Sequence, residues 1–183
     1  MSDLHECIDF ELSAWIGKQP VFFVGTAPLA AEGHVNLSPK GGDSFRVISP
    51  MEVIYQDYTG SGAETAAHLR ENGRIVVMFC AFEGPPRILR LHGKGTVITR
   101  SDPQFAELAK HFPTKLGTRA VVLVAVHRVT TSCGYAVPLM DFTGGRDALD
   151  KWANSKGSEK LKDYRTQKNQ LSIDGLPAFD QEL

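Results

Sequence analysis

With 183 residues, 42% apolar and 22% charged, the chain has the size and makeup of one globular domain with a substantial core. Its 20 basic and 21 acidic residues leave a net charge of −1, which excludes the electrostatic footprint of a nucleic-acid or membrane-surface partner. No apolar run approaches the ~20 residues of a bilayer span, and the acidic start Met1-Ser2-Asp3-Leu4-His5-Glu6 does not read as a signal peptide. Cys7, Cys80 and Cys133 are odd in number and widely spaced. They fit neither a disulfide framework nor a zinc site and suit a reducing compartment, so a cytoplasmic protein is expected.

Ile8, Leu12, Trp15 and Ile16 share one face of residues 6–17 and predict a short amphipathic helix. Pro20 then precedes the dense apolar run 21–26, a buried strand. Strands are expected next over 34–37, 44–48 and 52–58, separated by Pro/Gly turns. A helix over 64–71 leads to a central strand over 74–82, in which Ile75 to Cys80 are all apolar. Gly84-Pro85-Pro86 turns the chain into a strand over 87–99. Asp102 as N-cap, with Pro103 in the first helical position, predicts a helix to about residue 112. The last clear strand covers 119–129.

Six or seven strands with two inserted helices and short turns indicate a mainly β fold, a closed antiparallel barrel with peripheral helices. Regular strand–helix alternation is missing, which argues against a doubly wound sheet. From Arg146 the sequence turns polar and basic. Residues 1–145 are therefore expected to form the barrel domain. Residues 146–183 are expected to form a helical extension that packs on the barrel or on a partner subunit.

The segment Tyr58-Thr59-Gly60-Ser61-Gly62-Ala63-Glu64-Thr65 runs from strand to helix through glycines. A helix start has unpaired N–H groups and a partial positive charge, so it suits a phosphate. Ser61 and Thr65 add hydroxyls, while Gly60 and Gly62 allow close approach. The alternative is a plain turn in which Ser61 caps the helix. Asn36, Ser38 and Lys40 stand at alternate positions and would present an amide, a hydroxyl and an ammonium on one strand face. The competing reading is an edge hairpin with a solvated face, in which the glycine-flanked Lys40 has no structural duty. Arg46 would add a second charge. Arg87 and Arg90, three apart, point to opposite faces of a strand, and a guanidinium fork suits carbonyl-rich rings and phosphates. Metal, nucleotide-loop and nucleophile motifs are missing. The six histidines lack ligand spacing, so His68 and His92 read as packed or surface residues. Tyr135 and Trp152 offer aromatic surface for a flat cofactor.

Four segments in order, Phe22-Phe23-Val24-Gly25-Thr26-Ala27, Gly33-His34-Val35-Asn36-Leu37-Ser38-Pro39-Lys40-Gly41, Tyr58 to Thr65, and His68-Leu69-Arg70-Glu71-Asn72-Gly73-Arg74, resemble the pyridoxamine 5′-phosphate oxidase-like FMN-binding split-barrel family. The likeness covers residues 6–140 and is nearest the oxidase-related branch. It implies a six-stranded antiparallel split barrel, a homodimer, and FMN in two clefts at the subunit interface. The phosphate would lie at Ser61, Gly62 and Thr65 with Lys40 or Arg46 as its charge partner. Tyr55 and Asp57 would lie near the ring, with Arg87 and Arg90 along the same cleft. Cys133, Gly134, Tyr135 and Trp152 would close the site from the second subunit.

Two departures bear on the substrate. Glu64 and Thr65 stand where the vitamin-pathway oxidase usually carries an arginine–lysine pair, and residues 171–183 lack its tryptophan and arginine-rich signature. The expected activity is therefore that of an FMN-dependent oxidoreductase on a small organic molecule, not pyridoxal phosphate synthesis. NADH or NADPH would bind only transiently in the flavin cleft, since no dinucleotide fingerprint is present. The alternative is a flavin- or haem-binding store or sensor without turnover.

Overall fold

The computed structural model describes residues 2–180. Its elements are β1 (Ser2–His5), α1 (Phe10–Ile16), β2 (Val21–Thr26), β3 (Asn36–Gly41), β4 (Phe45–Ser49), β5 (Glu52–Tyr58), α2 (Glu64–Glu71), β6 (Arg74–Cys80), β7 (Ile88–Thr99), α3 (Phe105–Ala109), β8 (Thr118–Ser132) and α4 (Ala148–Lys168). The eight strands form one antiparallel sheet in the order β3-β2-β6-β7-β8-β5-β4, with β1 on β8. The 15-residue β8 carries β7 along one side and β5, then β1, along the other. The sheet curls into a barrel, but β3 and β4 are its two edges and do not pair. It is a split barrel, and the closed barrel expected from spacing is corrected on this point. The strand count also exceeds six.

One face of the curl is the core. Phe22, Val24, Tyr55, Val77, Phe79, Leu89, Leu91, Val122 and Val124 meet there, and α1 closes one opening with Ile8, Leu12 and Ile16. Asp9 caps α1 by accepting from the Leu12 N–H at 2.8 Å. The rings of Phe22, Phe45 and Phe79 meet at 5.0 to 5.7 Å, each centroid from the next. β6, read as apolar throughout, alternates: Ile75, Val77 and Phe79 are buried, while Val76 and Met78 are half-buried on the outer face. No helix among the described residues is long and apolar enough to cross a membrane.

Several element bounds differ from expectation, those of β3 and α3 for local reasons, and one strand is added. β3 begins at Asn36 and runs through Pro39, because it pairs with β2 from Thr26↔Asn36 to Val21↔Gly41 and, as an edge strand, tolerates a residue without an N–H. Asp102 does not cap α3. Its carboxylate accepts from the Thr99 N–H at 2.7 Å and the Thr99 hydroxyl at 2.9 Å, so it closes the turn after β7 and the helix starts later. β1 is too short to announce itself. Beyond the barrel, α4 kinks at Gly157, where φ is +72°.

Candidate functional site

Alternation along β3 turns Asn36, Ser38 and Lys40 inward, half-buried, and Leu37 and Pro39 outward. The amide of Asn36 donates to Thr65 Oγ1 at 2.9 Å and to Thr26 Oγ1 at 3.4 Å, and Ser38 Oγ donates to Asn36 Oδ1 at 3.2 Å. Thr26 Oγ1 lies 2.9 Å from Nδ1 of the fully buried His68. Burial lowers the pKa of His68 and keeps it neutral. This chain of polar groups ties the inner face of β3 to the first turn of α2.

Lys40 is not an idle loop residue. Its ammonium donates to Asp57 Oδ1 at 2.9 Å, and Arg119 Nε donates to Asp57 Oδ2 at 2.7 Å. Burial would raise the Asp57 pKa, but Arg119 and Lys40 outweigh it and bring it to about 2. Arg119 also donates to the Gly62 carbonyl at 2.9 Å. Tyr55, fully buried, has the Lys40 ammonium 5.9 Å from its ring centre. Burial and the charge of Asp57 push its phenol pKa well up.

The helix start itself is open. Ala63 occupies the cap position of α2 without a side-chain bond, and Ser61 stands exposed outside it, so Ser61 does not act as the cap. The N–H groups of the first turn consequently have no partner within the helix. A Cβ at Gly62 would strike Glu64 Oε2, so a carboxylate oxygen already lies in the cradle that glycine leaves. The Tyr55 hydroxyl and His68 Nε2 are buried without partners. An anion with hydrogen-bonding oxygens fits this set: free amides, a glycine cradle that accepts a carboxylate, hydroxyls and a lysine.

The structure thus gathers Asn36, Ser38, Lys40, Tyr55, Asp57, Gly62 and Thr65. A second group lies apart from it and shares no residue with it. Arg87, Cys133 and Tyr135 line a cleft of about 440 Å³ together with Asp3, Asp9 and Glu11. Arg87 stacks on Trp15 at 5.4 Å and lies 3.6 Å from Glu11, while Gly134 packs against the Arg87 backbone. Four expected site residues join neither group, Ser61 because it stands exposed outside the helix start. Arg46 pairs opposite Ile54, hence on the other sheet face from Tyr55 and Asp57, and stacks on Phe112. Arg90 alternates with the core residues Leu89 and Leu91, and it donates to Ser132 Oγ at 3.1 Å. Trp152 packs on Tyr164 and Lys156 of its own helix.

Sequence reasoning missed Thr26, Arg119, Arg165 and Asn169. Arg119 had only its position at the start of a strand, and Arg165 was one of many tail cations. Among the described residues, no group of three or more His, Cys, Asp or Glu side chains is placed to hold a metal ion.

The fold is that of a split barrel with a helix after its fifth strand, and sequence comparison places the chain within a family of such barrels. The family profile described as Pyridoxamine 5′-phosphate oxidase matches residues 8–133. The chain is also 42% identical over 196 aligned positions to the pyridoxamine 5′-phosphate oxidase family protein ustO of Aspergillus flavus, covering 98% of this chain and 78% of that one. The protein belongs to the pyridoxamine 5′-phosphate oxidase family. Among solved structures, HupZ of Group A Streptococcus is 25% identical, with a TM-score of 0.55 over 68% of this chain and 99% of that one. A Clostridium acetobutylicum protein related to general stress protein 26, of the pyridoxinephosphate oxidase family, shares the fold at 12% identity and a TM-score of 0.51, over 76% of this chain and 94% of that one.

Proposed function

We propose that the protein binds FMN, with the phosphate at the start of α2 and the ring toward Tyr55, and serves as an oxidoreductase for a small organic molecule. The observation that carries this reading is the cradle itself. An uncapped helix start follows a glycine beside which the Glu64 carboxylate lies, a place a phosphate would take by displacing it, with Lys40, Asn36, Ser38 and Thr65 nearby. FMN when bound supplies the redox chemistry. The chain's own groups hold and orient it: Lys40 and the α2 amides attract the phosphate, and buried apolar walls exclude water. The orphaned Tyr55 hydroxyl is a donor within the same region.

A homodimer is part of the proposal. Val35 just before β3, Leu37 on it, and Tyr135, Leu139, Met140 and Phe142 after β8, are large apolar residues left exposed. A partner would cover them and bring the Arg87–Cys133–Tyr135 cleft of one subunit to the cradle of the other. Glu64 and Thr65, in place of a cationic pair, are the reason pyridoxal phosphate synthesis is not proposed.

Titration of the apo protein with FMN, FAD and riboflavin, with sedimentation alongside, tests the reading. A phosphate site of this kind contributes on the order of 1.5–3 kcal/mol, so FMN should bind at least about tenfold tighter than riboflavin, to a dimer. Equal affinity for FMN and riboflavin, or a monomer with full flavin occupancy, would overturn it. Anaerobic mixing with NADH or NADPH then reads whether the flavin turns over.

A further inference from the structure

α4 lies beyond the residues that the family profile matches, yet it reaches the phosphate loop. Arg165, only 7% exposed, donates through Nε to Thr59 Oγ1 at 2.8 Å, and its Nη2 reaches the Leu116 and Thr118 carbonyls at 3.5 and 3.4 Å. One turn later, the fully buried Asn169 donates from Nδ2 to the Gly60 carbonyl at 2.8 Å. Arg119 takes the Gly62 carbonyl. Three of the four residues Thr59 to Gly62 are therefore gripped from outside the loop. Gly60 has no neighbour within 4 Å of where a Cβ would sit, so the loop has no packing of its own there to fix its shape.

The charge around this grip is unbalanced. Among the described residues, no carboxylate lies within ion-pair distance of Arg165, and its charged neighbours are Arg100 and Arg119. Burial first, then those two guanidinium groups, lower its pKa to about 10. Arg100 and Arg165 both reach the Thr118 carbonyl. Asp57 is already shared by Lys40 and Arg119, and Glu64 folds over Gly62. The buried or half-buried cations Lys40, Arg119 and Arg165 stand against Asp57 and Glu64, a surplus of one positive charge, while Arg100 is exposed. An uncompensated buried cation is unfavourable for folding alone. A phosphate monoester, at about −1.5 to −2 charges at neutral pH, would answer this surplus. Buried polar atoms without partners, Thr118 Oγ1 and Asn169 Oδ1, belong to the same neighbourhood.

We propose that Arg165 is a positioning residue for the cofactor phosphate. Through Thr59, and with Asn169 on Gly60, it holds the loop in the shape that presents the free α2 amides. Its unpaired charge adds to their attraction. This rests on the FMN reading above and assigns the C-terminal helix a part in it.

The test uses the full-length protein, titrated with FMN and with riboflavin, for the parent, Arg165→Gln and Asn169→Ala, with apo melting recorded for each. In Arg165→Gln, FMN affinity should fall about tenfold while riboflavin affinity stays within about twofold, because only the phosphate depends on the loop. Asn169→Ala should change the ratio in the same direction. Equal losses for both flavins would make Arg165 a residue of the fold alone and overturn the inference, as would an unchanged ratio. If Arg165→Gln does not fold, Asn169→Ala decides by the same criterion. A parent that binds FMN no better than riboflavin removes the FMN reading, and this inference with it, before any variant is compared.

Discussion

Asp57→Asn removes the one negative charge that answers both Lys40 and Arg119 without changing the side chain's shape. The carboxylate is 6% exposed, with its partners at 2.9 and 2.7 Å, so the variant leaves two cations facing a neutral amide whose NH₂ repels one of them. Breaking a buried pair from one side costs about 3–5 kcal/mol. For a chain of this length, each kcal/mol lowers the melting temperature by about 2–4 °C, so the apo variant should melt about 6–20 °C below the parent. FMN should reverse part of this loss, because its phosphate supplies charge to the two freed cations. The FMN-induced rise in melting temperature should therefore be larger in the variant than in the parent.

The same residue sets an acid limb. The folded pKa of about 2 lies below the ordinary carboxylate value of 3.8, so the associated stability is present above 3.8 and is lost as pH falls from there through 2. The difference corresponds to on the order of 2 kcal/mol. The parent should lose it between those values, and Asp57→Asn should show a shallower acid limb. Calorimetric melts across that range, with and without FMN, measure both effects. An apo variant that melts within about 2 °C of the parent would refute the reasoning, since the charges would then be solvated independently. Equal stabilisation of both proteins by FMN would place the phosphate away from Lys40 and Arg119.

Ser61→Ala should leave apo melting unchanged, because the exposed hydroxyl caps nothing, whereas Thr65→Ala should cost about 1 kcal/mol by leaving the Asn36 amide only its longer bond to Thr26 Oγ1. Together they should weaken FMN at least about tenfold, and unchanged FMN affinity by titration would reduce the loop to a turn. Lys40→Ala should lower the preference for FMN over riboflavin. The parent's own preference should shrink with added salt, since a partly exposed lysine–phosphate attraction is screened over about 8 Å at physiological ionic strength. A preference that survives both changes would transfer the phosphate contact to Arg119.

The parts of the fold and site that were legible in the sequence are those whose cause is local. β2, β5 and α2 carry their own periodicity, and their observed bounds match expectation. The shared face of Asn36, Ser38 and Lys40 follows from a period of two and survives in the structure. β1 was not legible because four residues show no period and its only partner is the distant end of β8. Arg119 meets Asp57 across 62 residues, and Arg165 meets Thr59 across 106. Nothing adjacent in sequence distinguishes Arg165 from Lys162 or Lys168. What separates them is burial, which only the fold decides: Arg165 is buried and the two lysines are exposed.

The charge arrangement also bears on what can lie above the flavin. On the FMN reading, one phosphate monoester would answer the surplus charge at the Thr59–Gly62 loop and leave no unpaired cation there for a second phosphate. A cleft near Cys133 is lined by Asp3, Asp9 and Glu11, and its one guanidinium, Arg87, is already engaged by Glu11 and Trp15. Asp9 in turn is fixed by its cap on α1 and cannot swing away without releasing that helix start. A phosphorylated substrate there would meet three carboxylates and lose its hydration without a free cation in return. A neutral or cationic molecule meets no such penalty. If that cleft completes the flavin site across the dimer, selection against a second phosphate comes from the charges of the cleft walls.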